Sequence, residues 1–382
     1  MRIVVQKYGG SSVADIDRIR GVADRVARAR ADGTALCVVV SAMGNTTNEL
    51  IALANKVATR PDRRELDMLI SVGERVSMAL LAMCLRDRGV PARSLTGSQV
   101  GIVTDESHAD ARVVEVRPER LRAVLEQGEV AIVAGFQGVS RAREVTTLGR
   151  GGSDTTAVVL AAALGAEYAE ICSDVDGVWS ADPRQVPEAV KLDHLSLAEA
   201  LALARGGAKV LFEDAVRYAR DHGVDLVAAS TFGPGSGTRI TTTPGPGRGA
   251  VAVTGDAELV EIALAPTDAD AVAVLAAGGG RVRRRVGPVV HVDVRNSHGA
   301  LPAAWAVRPI AVVTAVGSSL GERPADVLRG TVALGAAAVP VAAHGAEGDL
   351  AWWEVPRDAI GAAVRAVHQA LVSEAASPGA HG

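Results

Sequence analysis

Two of the four lysines in this 382-residue chain stand beside glycine pairs, a setting that suits the binding of phosphate. Lys7 lies near the end of the apolar run "IVVQKYGG" and is followed by Gly9 and Gly10. Lys209 follows a glycine pair in "GGAKVLFEDAVRYAR", where the pattern predicts that it opens a helix. Backbone N–H groups at such turns converge on an anion, and a compact ammonium suits a phosphoryl group in transit. The two lysines therefore indicate phosphoryl transfer, with a solvated surface position as the alternative for each.

A third glycine-rich segment, "TTLGRGGSDTTAVVLAAAL" at 146–164, runs directly into an alanine-rich apolar stretch. The pattern places Gly151–Ser153 at the N-terminus of a helix, whose free N–H groups and positive dipole end attract anions. Arg150 adds a planar guanidinium that binds a carboxylate or a phosphate through two parallel bonds. Asp154 either caps the helix or orients lysines between two substrates. The segment is therefore predicted to hold an anion.

The sequence lacks the motifs of several other kinds of site. It contains no G-x-x-x-x-G-K-[ST], no H-E-x-x-H and no G-x-S-x-G. "DVDG" at 174–177 lacks the register of a calcium loop. Cys37, Cys84 and Cys172 are isolated, and no histidine pair has metal-ligand spacing. We therefore predict neither a disulfide framework nor a metal site built from protein ligands.

The composition favours a globular protein that handles small molecules. A net charge of −4 and a pI near 6.1 provide no basic field for nucleic acid or an anionic membrane. With 48% hydrophobic residues, the chain can bury more than one core. The N-terminal apolar run is too short for a signal peptide, and no stretch approaches the roughly 18 uninterrupted apolar residues of a membrane span. We therefore expect a cytoplasmic protein.

Short β-branched runs alternate with long helical patterns over the first two-thirds of the chain. Six runs are predicted to be strands: 3–10, 35–44, 92–99, 129–138, 169–177 and 224–231. This alternation predicts an α/β fold, a three-layer αβα sandwich with a mainly parallel sheet. Glycine, serine, threonine and aspartate collect where these strands end. Because ligands bind beyond the carboxyl ends of parallel strands, we expect the site there.

A boundary is predicted at "TTTPGPGRGA", residues 241–250, because proline and glycine at this density neither continue a helix nor fill a sheet. The first domain would then be 1–243. Beyond it, 301–375 has the pattern strand, helix, strand, strand, helix. Residues 250–300 resemble a shortened copy of the same α+β unit.

Eight segments resemble, in order and spacing, the signature blocks of the aspartate kinase family, within the amino acid kinase superfamily. They are "VVQKYGGSSVADIDRIRGVADRV", "VVVSAMGNTTNEL", "SVGERVSMALLAM", "SLTGSQVGIVTD", "VAGFQGVS", "VTTLGRGGSDTTAV", "SDVDGVWSADPR" and "GAKVL". The resemblance implies an amino acid kinase fold over 1–243 and two ACT-like units at 250–300 and 301–375. It also implies that ATP, with Mg²⁺, phosphorylates the side-chain carboxylate of L-aspartate to give 4-phospho-L-aspartate and ADP.

The resemblance assigns a role to each matched residue. The catalytic residues would be Lys7, Asp154 and Lys209. The aspartate-binding residues would be Ser41, Thr47, Glu74, Arg150, Gly151 and Ser153, with Glu74 taking the α-ammonium group and Arg150 a carboxylate. The nucleotide-binding residues would be Lys7, Gly9, Gly10, Ser11, Ser173, Asp174, Trp179, Asp182, Arg184 and Lys209. Trp179, where the family usually has tyrosine, would stack on adenine. Mg²⁺ would be held by ATP phosphates and water, with no protein ligand assigned.

The sequence departs from the family at three places, one of which is "VDLVAASTFGPGSGTRI", where alanines replace a common arginine-serine pair. Phe212, Glu213 and Asp214 replace a His-Pro-Arg-like turn, a change expected to affect ATP binding or coupling to the C-terminal region. The family's effector segment is replaced by "GGGRVRRRVGPVVHVDV", whose arginines form either a solvated strand face or a rebuilt anionic effector site. We hypothesise that feedback inhibition by lysine and threonine is weakened or lost. Because ACT-like sheets commonly pair side by side, the resemblance also predicts a homodimer.

Two alternative functions remain open from the sequence. One is a paralogous kinase that phosphorylates another acidic amino acid. The other is a non-catalytic, ACT-bearing regulatory subunit.

Overall fold

The computed structural model describes residues 1–243, 249–265, 268, 270–295, 301–302 and 304–373. The chain divides into two compact units. The first comprises Met1–Val178, Asp193–Leu197 and Val210–Thr243. The second comprises Trp179–Leu192, Ala198–Lys209 and Pro244–Gly382. One division falls after Thr243, and two earlier segments also belong to the second unit.

The described helices and strands alternate through most of the first unit. The helices are α1 (Ile16–Ala31), α2 (Thr46–Val57), α3 (Arg63–Ile70), α4 (Val72–Asp87), α5 (Glu119–Glu126), α6 (Gly152–Leu164), α7 (Leu197–Arg205), α8 (Glu213–His222), α9 (Ala271–Ala277), α10 (Pro324–Ala336) and α11 (Ile360–His368). The strands are β1 (Ile3–Tyr8), β2 (Ala35–Val40), β3 (Ala92–Leu95), β4 (Ile102–Thr104), β5 (Val113–Val116), β6 (Val130–Ala134), β7 (Gln137–Ser140), β8 (Val145–Thr147), β9 (Ala169–Ser173), β10 (His194–Ser196), β11 (Leu226–Ser230), β12 (Thr238–Thr241), β13 (Ala252–Ala263), β14 (Arg281–Val286), β15 (Val289–Asp293), β16 (Ala306–Val316), β17 (Ala343–Glu347) and β18 (Leu350–Val355).

An eight-stranded sheet in the order β10-β12-β11-β9-β1-β2-β6-β3 forms the centre of the first unit. All neighbouring pairs are parallel except β11 and β12. The runs "IVVQKY" and "ALCVVV" are buried almost throughout, as expected for strands covered on both faces. The predicted α/β fold with a mainly parallel sheet is confirmed, and each of the six predicted strands contains an observed one.

Alternate side chains of the central strands pack on different helices. Val4 and Tyr8 of β1 share a buried cluster with Ile19 and Val22 of α1 and Leu81 of α4. The N-cap of α1 is Asp15, whose side chain accepts a hydrogen bond from the backbone N–H of Arg18. The opposite side of β1 contacts α6. This arrangement fixes the carboxyl ends of β1, β2 and β9 beside the start of α6.

A second sheet of the first unit, β5-β4-β7-β8, was not predicted. Its strands have three or four residues, too short to show a clear alternation of apolar and polar side chains. The predicted strand 129–138 is in fact two strands, β6 and β7. The chain turns between them at Gly135 and Phe136, and Phe136 has a positive φ of 68°. This small sheet carries Thr147 to the turn that precedes α6.

The second unit contains a six-stranded antiparallel sheet in the order β14-β15-β13-β16-β18-β17. The predicted pattern strand, helix, strand, strand, helix is present as β16, α10, β17, β18 and α11. The shorter preceding copy is β13, α9, β14 and β15. Ala181, Val186 and Ala189, from the segment 179–192, pack in the same core as Trp353 and Val364.

The stretch Arg63–Asp87 is long and apolar enough to span a membrane by length and composition alone, a finding that the sequence analysis did not anticipate. Half of its most apolar window is buried inside the protein. Within this stretch, α3 and α4 meet at Ser71, whose carbonyl accepts a hydrogen bond of 2.9 Å from the Gln137 side chain. The buried core helices of globular proteins can be equally long and apolar. The stretch Arg63–Asp87 also carries the buried acids Asp67 and Glu74.

Candidate functional site

A buried ion pair joins the first strand to the glycine-led helix. Nζ of Lys7 lies 2.6 Å from Oδ1 of Asp154, and the two side chains are 11% and 2% exposed. Lys7 occupies the centre of the sheet, between Val39 of β2 and Ile171 of β9. Asp154 lies in the first turn of α6. Because burying a charge is costly unless it is paired, this contact fixes both groups in the fold.

The turn after β1 packs closely against the turn after β2. The backbone N–H of Gly9 donates to the carbonyl of Cys172, and a short 3-10 turn over Gly10–Val13, which includes Ser11, follows. A Cβ added at Gly10 would lie 3.1 Å from the carbonyl oxygen of Ala42, and one at Gly9 would lie 3.5 Å from Nζ of Lys7. The two turns and the Lys7 ammonium therefore form one compact region.

The N-terminus of α6 has the predicted form. Gly151 is its N-cap, with a positive φ of 74° that favours glycine. The N–H of Thr155 donates to the Gly151 carbonyl, whereas the N–H groups of Ser153 and Asp154 make no backbone hydrogen bond within the ranges described. A Cβ on Gly151 would overlap the ring of Phe212, so this aromatic side chain covers the turn. The helix end thus offers free donors beside a buried ammonium group.

Glu74 is the clearest candidate for binding a cation. Its side chain is buried, and Oε1 accepts a hydrogen bond of 3.1 Å from the backbone N–H of Ala42. Oε2 is buried with no hydrogen-bond partner in the described part of the chain. Burial raises the pKa of Glu74 to about 7. Glu74 is therefore not an exposed surface residue, and its unpartnered oxygen suits an incoming ammonium group.

The other residues assigned to aspartate binding line the same region or lie at its edge. Ser41 follows β2, its N–H donates to the Tyr8 carbonyl, and its own carbonyl accepts a hydrogen bond from Ser77. Thr47 lies in the first turn of α2. Arg150 is exposed in the turn before α6 and has no hydrogen bond or ion pair with any residue that the structure describes. Its guanidinium is therefore available to a ligand.

The residues assigned to the nucleotide fall in both units. Ser173 ends β9 in the first unit, and Asp174 follows it, exposed. In the second unit, Arg184 donates two hydrogen bonds to Asp182, at 3.0 and 2.8 Å, and this contact lowers the pKa of Asp182. Trp179 packs against the core of its own unit. The structure leaves its stacking on adenine a prediction.

The position predicted for Lys209 is wrong in one respect. It does not open a helix, because α8 begins at Glu213 with Phe212 as its N-cap. Lys209 instead lies exposed after α7, close enough to Asp182 to contribute to the lowered pKa of that carboxyl. The glycine pair before it ends α7 and does not begin the next helix. Within the second unit, Lys209 and Asp182 are thus close enough for their charges to interact.

One further group of residues near the site was not predicted from the sequence. Asp67 of α3 is fully buried and accepts hydrogen bonds from His108, Ala109 and Thr147. An available signal was the position of Asp67 three residues before the buried Ile70 in "RELDMLI", which places an acid on the apolar face of a helix. Its partners could not be identified, since nothing in the spacing of His108 or Thr147 points to Asp67.

One cluster of the second unit has the composition of a metal site. The ligand atoms of Glu261, His291 and Glu354 lie within 4.8 Å of one another. Arg308 already bonds to both carboxylates, with Nη2 at 2.9 Å from Glu261 and 2.6 Å from Glu354. An arginine in this position accounts for the cluster without an ion, and we assign no protein metal ligand there.

Comparison with known proteins decides the family. Residues 2–230, more than half of the chain, match the sequence model of the amino acid kinase family. The chain belongs to the amino acid kinase family. The curated members that it resembles are aspartokinases, including that of Mycobacterium bovis, 54% identical over 239 residues. The aspartokinase of Thermus thermophilus is 53% identical over 240 residues.

The match to these amino acid kinase family members is partial. It covers 62% of this chain and 57% of the Mycobacterium bovis protein, and 63% and 59% for the Thermus thermophilus protein. The chain thus spans less than two-thirds of the length of its curated relatives. The aligned part, 239 or 240 residues, corresponds in length to the region that matches the family model.

Solved structures extend the fold comparison over most of the chain. Escherichia coli aspartokinase III in complex with aspartate and ADP has a TM-score of 0.83 at 24% identity, covering 96% of this chain and 99% of that chain. Aspartate kinase from Synechocystis has a TM-score of 0.59 at 32% identity, covering 96% and 69%. This amino acid kinase family member therefore has an aspartokinase-like fold that includes the C-terminal β-rich region.

Proposed function

We propose that this chain is an aspartate kinase, which transfers the γ-phosphoryl group of ATP to the side-chain carboxylate of L-aspartate. The observation that carries the proposal is the buried Lys7–Asp154 ion pair beside the free N-terminus of α6, next to the turn held by Glu74. Such a site combines donors for phosphate with a buried acid for an ammonium group. The aspartokinase relatives supply the choice of acceptor.

The reaction needs no general base from the protein. A side-chain carboxylate has an unperturbed pKa of about 3.9, so the acceptor is ionised at neutral pH. A carboxylate oxygen of aspartate forms a bond to the γ-phosphorus, and the bond from that phosphorus to the bridging oxygen breaks. ADP leaves with the electron pair. Catalysis therefore consists of aligning two anions and offsetting their repulsion.

Residues of the first unit are proposed to align the two anions and to offset their repulsion. Lys7, with the N–H groups of Gly10 and Ser11, neutralises the transferring phosphoryl group. The N–H of Gly9, which the sequence also assigned to this role, donates to the Cys172 carbonyl instead. Asp154 holds the Lys7 ammonium in position. Glu74 binds the α-ammonium group of aspartate through its free oxygen, and Arg150 binds a carboxylate of aspartate.

Mg²⁺ would be held by the phosphates of ATP and by water, and would supply further neutralisation of phosphate charge. The acid nearest the reacting region, Asp154, is paired with Lys7, which fits a metal bound mainly through the nucleotide. The residues proposed to bind ATP are Ser173 and Asp174 in the first unit and Trp179, Asp182, Arg184 and Lys209 in the second.

Trapping of the product tests the proposal. Purified protein, ATP, Mg²⁺ and hydroxylamine should yield aspartyl hydroxamate with L-aspartate, and far less hydroxamate with L-glutamate or N-acetyl-L-aspartate. Preference for another acidic amino acid would support a paralogous kinase. Absence of turnover with every acceptor would support the regulatory subunit and contradict the proposed reaction.

We further propose that the second unit comprises two ACT-like units, at 250–300 and 301–375, that mediate a homodimer of a cytoplasmic enzyme with weakened feedback inhibition. The arginines of β14 support this view of regulation. Arg283 donates to Asp293 at 2.6 Å, and the Arg284 guanidinium lies 4.1 Å from the ring centre of Trp352. These side chains serve the packing of their own sheet. A clear drop in initial rate on adding millimolar lysine and threonine would contradict the weakened feedback.

A further inference from the structure

One buried carboxylate connects three segments that lead to the proposed acceptor site. Asp67 has no exposed surface. Its Oδ2 lies 2.7 Å from Nδ1 of His108, and both oxygens accept the N–H of Ala109, at 3.1 and 3.2 Å. Oδ1 also accepts the hydroxyl of Thr147 at 2.5 Å. The side chain therefore ties α3 to the loop 105–112 and to the end of β8.

The loop that carries His108 lies directly against the turn before α6. Ala111 donates its N–H to the Thr147 carbonyl at 2.9 Å. Gly149 has a positive φ of 71°, and a Cβ there would collide with the Asp110 carboxylate. Ala109 itself has a φ of 68°, which is unfavourable for a residue with a side chain, and its N–H is held by Asp67. The geometry of this loop thus depends on Asp67.

Asp67 and its partner Thr147 are each close in sequence to one of the two residues proposed to bind the acceptor. From Asp67, α3 continues through Ser71 into α4, where Glu74 lies in the first turn. From Thr147, the chain reaches Arg150 in three residues. Displacing Thr147 would therefore move Arg150 relative to Glu74. Errors of about 1 Å in such positioning can cost about 100-fold in reaction rate.

We propose that Asp67 and His108 are positioning residues for the aspartate-binding site. His108 donates its Nδ1 hydrogen to Asp67 and so keeps the carboxylate directed at Thr147, which sets the distance between Arg150 and Glu74. Neither residue touches the reacting atoms. The inference rests on the proposed function, because it assigns the acceptor to Glu74 and Arg150. It predicts an effect on the acceptor and none on the nucleotide.

Two variants of His108 separate positioning from general stability. In His108→Ala, the donor to Asp67 is lost, and KM for L-aspartate should rise at least tenfold while KM for ATP changes less than twofold. In His108→Asn, the amide can donate in place of Nδ1, and KM for L-aspartate should return to within threefold of the original protein. His222→Ala is the matched control, since His222 is an exposed histidine of the same unit.

Calorimetric titration with L-aspartate and with ADP measures the same selectivity without turnover. Unchanged aspartate affinity in His108→Ala, equal loss of both affinities, or failure of His108→Asn to rescue at a normal Tm would each overturn the inference. The proposed function fails separately, if the unaltered protein forms no aspartyl hydroxamate. If the unaltered protein binds no L-aspartate at all, both proposals are wrong.

Discussion

Lys7 and Asp154 form a buried ion pair, with 2.6 Å between Nζ and Oδ1, at the point where the central strand β1 meets the start of α6. The pair places a cation where a phosphoryl group can be received and keeps an acid beside it. Its two members are far apart in the sequence, at positions 7 and 154, so their contact depends on the packing of α6 against β1.

Asp154→Asn should lower kcat about 100-fold or more, because Lys7 loses the charge that positions it. The same change leaves a buried ammonium unpaired and should reduce the free energy of unfolding by about 3 to 5 kcal/mol. Steady-state rates and denaturant unfolding measure the two effects. Adding Lys7→Met should restore part of the stability and none of the activity. Recovery of activity in the double variant would contradict the catalytic role of the pair.

Arg150→Ala should raise KM for L-aspartate about 10- to 100-fold with little change in KM for ATP, because one bidentate contact to a carboxylate is lost. Arg150→Lys should recover only part of the affinity, since an ammonium lacks the planar fork. Initial rates at varied aspartate and saturating ATP provide the test. Arg141→Ala, at another exposed arginine of the same unit, is the control. A change confined to ATP affinity would contradict the assignment.

The activity should depend on pH through Glu74, whose pKa is raised by burial to about 7. Only the ionised form attracts the α-ammonium group, so kcat/KM for L-aspartate should fall about tenfold per pH unit below pH 7 and level off above it. Glu74→Gln should lower kcat/KM at pH 8 and remove this dependence. A profile recorded between pH 5.5 and 8.5 tests it, and persistence of the pH dependence in Glu74→Gln would assign it to another group.

The same shift predicts how stability changes with pH. Between about pH 4.5 and pH 7, the folded state retains a proton on Glu74 that the unfolded state has lost. The contribution of Glu74 to stability therefore falls as pH rises through this window. In Glu74→Gln the fall should be smaller, as measured by urea unfolding at pH 5 and pH 7.5. An equal fall in both proteins would show that the Glu74 carboxyl has an ordinary pKa.

Gly151→Ala should be strongly destabilising for two separable reasons. The φ of 74° costs a residue with a side chain about 1 to 2 kcal/mol, and the added methyl group overlaps the Phe212 ring. Adding Phe212→Ala removes the overlap and should return part of the lost stability, leaving the backbone cost. Thermal unfolding of the two single variants and the double variant measures this coupling. Strict additivity would contradict the contact between the ring and the turn.

Local sequence patterns correctly predicted those helices and strands whose formation depends on residues close together in the chain. The run "IVVQKY" has apolar residues on both faces and forms a buried strand in the middle of the sheet, and "GRGGSDTTAV" places a glycine at the left-handed N-cap of α6. Such preferences act within a few residues, so they can be read without a structure. The resemblance to aspartate kinases then assigned roles to Lys7, Glu74 and Arg150 through ordered motifs, and these roles remain predictions.

Tertiary structure decided which of these residues act together and with what chemistry. Lys7 meets Asp154 only because β1 and α6 pack on each other, and Glu74 acquires its raised pKa only because the fold removes water from its carboxyl group. Asp67 and His108 have no motif in common, yet the fold joins them into one hydrogen-bonded cluster. Burial, pKa and contacts between distant segments arise from packing in three dimensions, and that packing brings together the residues of the proposed acceptor site.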